Sequence, residues 1–500
     1  MILNLLLNRI PARLIPEHFY SVDIGYLPEI WFALLAIVLG TLIIVISIAS
    51  QNISKLIDLY MRDWFSLIYV WFIIVSTFQV VHAQEARQLY HFVNLYLLFP
   101  LAALISFPYV FYILALTKPS NIAQNIKKTI IGEIERTVAF KNSRSMHTSG
   151  NISFQKVLFN SLNQLDDLLL YVNSKEVKSH IISIFRSILE VFFSIKSELP
   201  PRLFVITPAM RNDISFISMH DTHTLQDTYP YMIERKCLII LRNAYEDMIE
   251  NNRYELASLC VSEIGAVGKG VSKMRDEELM DIILTEFNTY FRFALKHAIR
   301  MKENRNLYNL VFQYQKLLSY FVVHHNTSRV IDGFQYLKYY ADESFSNISE
   351  ANLFIIIDTI AYDMKRILVL VHRQEVDVRI QETLLESFLQ LGQTPGFMDA
   401  RAHEETVIHS KIKVIQTALG LFYMRHDQMG FADKIITGML EDLEKAGYRE
   451  TRTYFEKLFE MMKLQKSTFW EATDRGNVNI YFSPDLVVLE DFRRRLFTRL

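Results

Sequence analysis

Cysteine, glycine and proline are scarce in this 500-residue chain, and neither sign of charge dominates it. The two cysteines, Cys237 and Cys260, are too few for a disulfide framework or a cysteine-only zinc site. The 15 glycines and 12 prolines exclude collagen-like and low-complexity chains. Basic and acidic residues number 53 and 54, so no overall positive field attracts nucleic acid, and we expect no nucleic-acid partner.

Motifs of the common enzyme classes are also missing. The chain contains no GxxxxGK[ST] or GxGxxG phosphate loop, no GxSxG nucleophile elbow and no HExxH zinc motif. His403 and His409 stand six positions apart, so on a helix their rings do not share a face. His220 and His223 flank Asp221 in a polar stretch, which leaves a metal-dependent hydrolase as an alternative. The main prediction is a protein that is not an enzyme and has no cofactor or bound metal.

Three segments near the N-terminus contain no charged residue at all. They cover residues 30–50, 64–81 and 92–117. A hydrocarbon core of about 30 Å needs roughly 20 apolar helical residues, so each segment is long enough to cross a bilayer. The third contains Pro100 and Pro108, which predict a kink. We therefore predict three transmembrane helices within a membrane domain, residues 28–117, whose partner is the lipid bilayer.

The distribution of Lys and Arg in the short loops predicts the orientation. Six basic residues follow the first and third spans, whereas three lie on the opposite side of the membrane. The positive-inside rule then places the N-terminus outside and the C-terminal region in the cytoplasm. Residues 1–27 begin with a short apolar run that basic residues follow rather than precede, which predicts an interfacial segment and not a cleaved signal.

Beyond the membrane domain, apolar residues recur at helical spacing almost throughout. We predict a membrane-proximal helix and linker over 118–153, a large cytoplasmic helical domain over 154–466, and a C-terminal segment over 467–500. Glycines at 265–270 and 333 are interpreted as breaks between helices. The fold class is an all-α integral membrane protein. An α-solenoid of stacked hairpins and an irregular bundle both remain open, because no repeat period is evident.

Small and polar residues recur along one face of the first two spans, in a pattern that serves either close helix packing or a wetted pore. Both uses imply association with further helices, so we expect a homo-oligomer. The pore or packing face consists of Ala36, Gly40, Ser47, Gln51 and Ser54 from the first span and its end, and of Ser66, Tyr69 and Ser76 from the second.

The chain ends in a basic helix that contains Arg493, Arg494, Arg495 and Arg499. These arginines are candidates for contact with acidic lipid headgroups or with a neighbouring subunit. The alternative is a solvated helix end, where cations are favourable near the C-terminal dipole.

The stretch between the first two spans resembles a family of bacterial predicted membrane proteins of unknown function. Gln51, Ser54, Lys55, Leu56 and Asp63 are the matching positions, and the resemblance covers about the first 120 residues. Because that family has no assigned activity, the resemblance implies a location in the bacterial inner membrane and no mechanism.

Together these features predict a channel-like oligomeric membrane protein, in which the cytoplasmic helical domain controls a pore or gate formed by the transmembrane helices. The alternative is a membrane-anchored scaffold or signalling platform, which binds a cytoplasmic protein partner through the helical domain.

Overall fold

The computed structural model describes residues 25–52, 64–82, 93–116, 118–139, 148–207, 228–347, 353–391, 404–441, 448–469, 472–473 and 475–500. These residues form helices and their connections, and their only β-type pairing is a single bridge between Val205 and Thr228. The all-α prediction is therefore confirmed for the described part of the chain. The chain divides into two compact units, Met1–Ile184 and Phe185–Leu500.

The first unit consists of the apolar helices and the two helices that follow them. They are α1 (Leu27–Asn52), α2 (Trp64–His82), α3 (Phe99–Leu116), α4 (Pro119–Ala139) and α5 (Thr148–Tyr171), and α6 (Lys175–Ile195) contains the boundary with the second unit. The segments Leu27–Ile44, Trp64–Val81 and Asn94–Ala115 are long and apolar enough to cross a membrane. Three candidate spans are thus confirmed. Residues 1–24 of the predicted interfacial segment lie outside the described residues.

The helix α4 agrees with the predicted membrane-proximal helix, but the predicted linker is partly wrong. Residues 148–153 form the first turns of α5 rather than a loop. Residues 140–147 lie outside the described part of the chain.

The three apolar helices contact one another through aromatic side chains. The Trp31 ring of α1 lies edge-on to Phe72 of α2 and to Phe99 of α3, with ring centroids 6.4 and 5.8 Å apart. A π-helical turn, Asn94–Leu98, leads directly into α3, and Pro108 lies inside that helix. Such wider turns leave the helical hydrogen-bond pattern locally irregular.

The second unit is built from eleven named α-helices of the described chain. They are α7 (Met232–Glu250), α8 (Tyr254–Met274), α9 (Glu277–Met301), α10 (Arg305–Val323), α11 (Thr327–Ser346), α12 (Phe354–Arg373), α13 (Val378–Leu389), α14 (Glu404–Arg425), α15 (Met429–Glu441), α16 (Tyr448–Leu464) and α17 (Leu489–Arg499). Helices α8, α10, α12 and α14 pack side by side in one layer, and α7, α9, α11, α13 and α15 pack in another. This alternation is the packing of an α-solenoid, one of the two arrangements that the sequence leaves open.

A repeat of about 50 residues is visible in the turns of the second unit. Left-handed residues end successive helices of one layer at Arg275, His325, Glu375 and Asp427, which are 50 to 52 residues apart. None of these residues is glycine, although the left-handed conformation normally favours glycine. The period is therefore a property of the backbone geometry and leaves no glycine signature in the sequence.

The predicted helix breaks at the glycines are wrong. The glycines at 265–270 lie inside α8, and Gly333 lies inside α11. A Cβ atom at Gly268 would overlap the Leu317 side chain of α10, and one at Gly333 would overlap Leu318. These glycines permit close approach between helices instead of ending them.

Glycine at the left-handed turns should stabilise the second unit. We expect the double variant R275G/K302G to melt about 2–4 °C higher than the parent chain, because a non-glycine residue in this conformation costs roughly 1–2 kcal/mol and the larger unfolded-state entropy of glycine offsets only part of the gain. The measurement is thermal unfolding of the purified full chain in mild detergent.

The matched control is N252G, because Asn252 has the same left-handed conformation but belongs to a residue type that tolerates it. A gain in N252G as large as in the double variant would contradict the proposed conformational strain.

Candidate functional site

The first span places the predicted polar face away from its own neighbours. Ala36 and Ser47 are exposed, and a Cβ atom added at Gly40 would meet no other atom within 4 Å. The opposite face of α1, which packs inside the unit, consists of Leu27, Trp31, Leu34 and Val38. The face at Ala36, Gly40 and Ser47 is therefore open to further helices or to lipid. The side chain of Gln51, and all of Ser54, lie outside the described residues.

The second span uses its polar face differently. Ser66, Tyr69 and Ser76 are buried within the first unit. The Tyr69 hydroxyl lies 2.6 Å from the Ser106 hydroxyl and donates to the Ala102 carbonyl of α3 at 2.9 Å. Tyr69 therefore joins α2 to α3 within one chain, whereas the face of α1 remains uncovered.

The arginines of the C-terminal helix pair with carboxylates of their own chain. Arg495 and Arg499 both approach Asp433, at 3.7 and 2.9 Å. Arg494 pairs with Asp491 in the same helix. Arg493 lies 3.5 Å from Glu490 and 3.9 Å from Glu456 of α16. These pairs reduce the charge that the helix presents to a lipid or a subunit.

A group of basic residues lies elsewhere, in a cavity of about 700 Å³ within the second unit. Its walls come from α10, α12 and α14 and from the segment that precedes α17. Its basic residues are Lys365, Arg366 and Arg373 of α12 and Arg425 of α14, and its one carboxylate is that of Asp485.

Arg366 and Arg373 stand seven positions apart on α12, a spacing that brings their side chains to one face across two turns, and Lys365 precedes Arg366 on the adjacent face. Val369 and Leu370 lie between them along the same wall. Arg425 pairs with Asp485 at 2.8 Å. Lys365, Arg366 and Arg373 form no ion pair with any Asp or Glu in the part of the chain that the structure describes. Asp485 is the one carboxylate among the residues that line the cavity, and it attracts Lys365 as well as pairing with Arg425, so four cations share a single counter-charge.

Aromatic rings position these cations. The Lys365 ammonium lies 4.7 Å from the centre of the Tyr362 ring, and the Arg373 guanidinium lies 5.8 Å from that of Phe422. Cation–π contact attracts a cation to a ring face but leaves its charge uncompensated. Burial and the neighbouring Arg366 lower the pKa of Lys365 to about 8. An anion in the cavity would favour the charged form of this side chain.

The last wall of the cavity is held in place by buried ionic contacts to α12. Arg475 pairs with Asp363 at 2.5 Å, both side chains are almost fully buried, and the guanidinium also lies 4.4 Å from the Tyr308 ring centre. Seven residues before Lys365, Asp358 accepts a hydrogen bond from the Tyr481 hydroxyl at 2.6 Å. The same helix therefore binds the C-terminal segment with two carboxylates and faces the cavity with three cations.

This site is not among those predicted from the sequence. Its residues come from three helices and an irregular segment, and none of the four elements contains a known ligand-binding motif. One signal was present: α12 reads FIIIDTIAYDMKRILVLVHR, an apolar helix whose charges fall at 358, 363, 365, 366 and 373. The other predicted site, His220 with His223, lies outside the described residues. The described residues contain no group of three His, Cys, Asp or Glu that could hold a metal.

No family model matches the chain, and no curated protein or solved structure matches it either.

Loss of the Arg475 charge should destabilise the second unit strongly. We expect R475M to cost about 3–5 kcal/mol, because it leaves Asp363 buried without its counter-ion. Burial already raises the pKa of Asp363, with Arg475 acting in the opposite direction. In R475M the pKa of Asp363 should rise further. The folded state then keeps a proton on Asp363 that the unfolded state releases. Stability should then fall as pH rises from 5 to 8, as followed by thermal unfolding.

The double variant D363N/R475M is the control, because it removes both charges. It should be less destabilised than R475M at pH 8 and should lose the added pH dependence. Equal losses in the two variants at both pH values would show that the pair contributes through packing alone.

Proposed function

We propose that the protein is a membrane-anchored receptor for a small anionic ligand. The three apolar helices anchor the chain in a bilayer, and the cavity of the second unit binds the ligand. The observation that supports this proposal most directly is the convergence of Lys365, Arg366 and Arg373 on one cavity without a described carboxylate partner.

The energetics of the cavity favour an anion. Cations that share one wall repel one another, and partial removal of Lys365 from water makes its charge more costly, whereas Arg366 and Arg373 are exposed. The depressed pKa of Lys365 is a direct expression of both effects. A ligand with negative charge offsets them and gains charge-assisted hydrogen bonds, and guanidinium groups suit carboxylate and phosphate because they bind bidentately.

The size of the cavity agrees with a small-molecule site, since pockets of about 300–1,000 Å³ are typical of such sites. Its walls are about equally polar and apolar. Here Phe422, Phe482 and Pro484 supply apolar surface next to the cations. The proposal places the ligand in the cytoplasm, since the distribution of Lys and Arg around the spans favours a cytoplasmic C-terminal region, and the bacterial inner membrane is the proposed location.

Binding of pyrophosphate to the full chain in nanodiscs tests the receptor function. Calorimetry should detect binding to the parent chain and at least a tenfold weaker affinity in R366Q/R373Q, because each lost charge-assisted hydrogen bond is worth roughly 1.5–3 kcal/mol. The matched control is R379Q, an exposed arginine of the neighbouring helix that does not line the cavity. Failure of the parent chain to bind, or an equal loss in R379Q, would overturn the proposal.

A channel-like assembly is the second candidate. The exposed face of Ala36, Gly40 and Ser47 favours it, because small residues permit helices of several chains to approach closely or to line water. Tyr69 and the buried serines of α2 are occupied within one chain, so α1 is the helix that this candidate assigns to the pore.

The mass of the purified protein in nanodiscs tests the channel candidate. It predicts a closed ring of four or more chains, ion flux in liposomes, and loss of flux in G40L but not in the conservative variant G40A. A monomer would exclude the channel, since three spans of one chain cannot enclose an aqueous path, and would leave the anchored receptor.

A further inference from the structure

The cavity has a cationic wall and an aromatic wall, and one ring of the aromatic wall has no other described ring or cation against it. The Tyr362 ring is occupied by Lys365 and Arg366, and the Phe422 ring by Arg373 and His426. Phe482 also lines the cavity and is half-buried. Among the described residues it stacks with no other ring and carries no cation on its face. A planar group of a ligand can therefore stack on it.

The charge of the cavity requires more than a single negative charge. Four cations and one carboxylate line it, and Asp485, which pairs with Arg425 and also attracts Lys365, supplies one negative charge to all four. A monocarboxylate would leave most of the remaining charge uncompensated. A phosphate ester carries close to two charges at neutral pH, and a di- or triphosphate carries more over a short length.

A bare inorganic anion is too small to fill the cavity. About 700 Å³ falls within the range of cavities that hold organic ligands. An inorganic phosphate on the α12 cations would leave Phe482, Val478 and Pro484 in contact with water. A ligand that also carries an apolar planar group would cover this second wall and gain its burial.

We infer that the ligand is a nucleoside di- or triphosphate, whose phosphates pair with Lys365, Arg366 and Arg373 and whose base stacks on Phe482. The inference rests on the anion-binding function proposed above and specifies the chemical class of that ligand. The chain places its stacking ring on the segment that Arg475 and Tyr481 tie to α12, and its cations on α12 itself. The two halves of the site are thus held together by buried contacts that do not involve the ligand.

Calorimetric titration of the full chain in nanodiscs with ATP, GTP, UTP and inorganic tripolyphosphate tests the inference. At least one nucleotide should bind about tenfold more tightly than tripolyphosphate, since stacking of a base on an aromatic side chain is worth roughly one to two decades of affinity. F482L, which keeps an apolar side chain without a ring, should lose this advantage and leave tripolyphosphate binding unchanged. F482W should retain it.

The outcomes separate the inference from the receptor function. Equal affinity for all nucleotides and tripolyphosphate, with no effect of F482L, would overturn the nucleotide inference while the anion site stands. Absence of binding by every one of these ligands would overturn the anion-binding function itself. R366Q/R373Q should weaken nucleotide and tripolyphosphate alike, and nucleotide binding that is unaffected in this variant would place the site elsewhere.

Discussion

The ion pair between Arg475 and Asp363 holds the C-terminal segment against α12, the helix on which the cationic cavity depends. Two buried charges are stable in this position only because each satisfies the other, and the guanidinium also packs on the Tyr308 ring. The pair places residues 478–485 beside α12, so these residues become a wall of the cavity instead of a free tail. The hydrogen bond from the Tyr481 hydroxyl to Asp358 joins the same segment to α12, one to two helical turns from Asp363.

Helix α12 therefore has two roles: its carboxylates make structural contacts, and its cations line the cavity. Asp363 faces the C-terminal segment and is neutralised there by Arg475. Asp358 accepts a hydrogen bond from Tyr481 of that segment and pairs with Lys411 of α14. The cations of α12 at 365, 366 and 373 have no described carboxylate partner and face the cavity. Because α12 packs between α10 and α14 in one layer of the solenoid, the cavity is placed on a rigid part of the unit. Binding sites that form on such scaffolds need little reorganisation when the ligand arrives.

The apolar helices of the first unit show a comparable division of surfaces. In α2 the polar groups are used within one chain, through the hydrogen bonds of Tyr69 with α3. In α1 the small residues at 36, 40 and 47 lie on the face that the chain leaves open, opposite the packed residues Trp31 and Val38. Assembly and ligand binding are thus proposed for different units of the chain, and each can be tested without the other.

The sequence by itself determined the helical class, the three charge-free segments and the position of most helices, because helical periodicity and unbroken apolar runs are local properties. It did not reveal the repeat of the second unit, since the left-handed turns at Arg275, His325 and Glu375 carry no glycine. Nor did it distinguish glycines that end helices from Gly268 and Gly333, which accommodate a neighbouring leucine. Only the tertiary structure decided the site, because burial, pairing and the meeting of α12 with a segment more than 100 residues later depend on packing between distant parts of the chain.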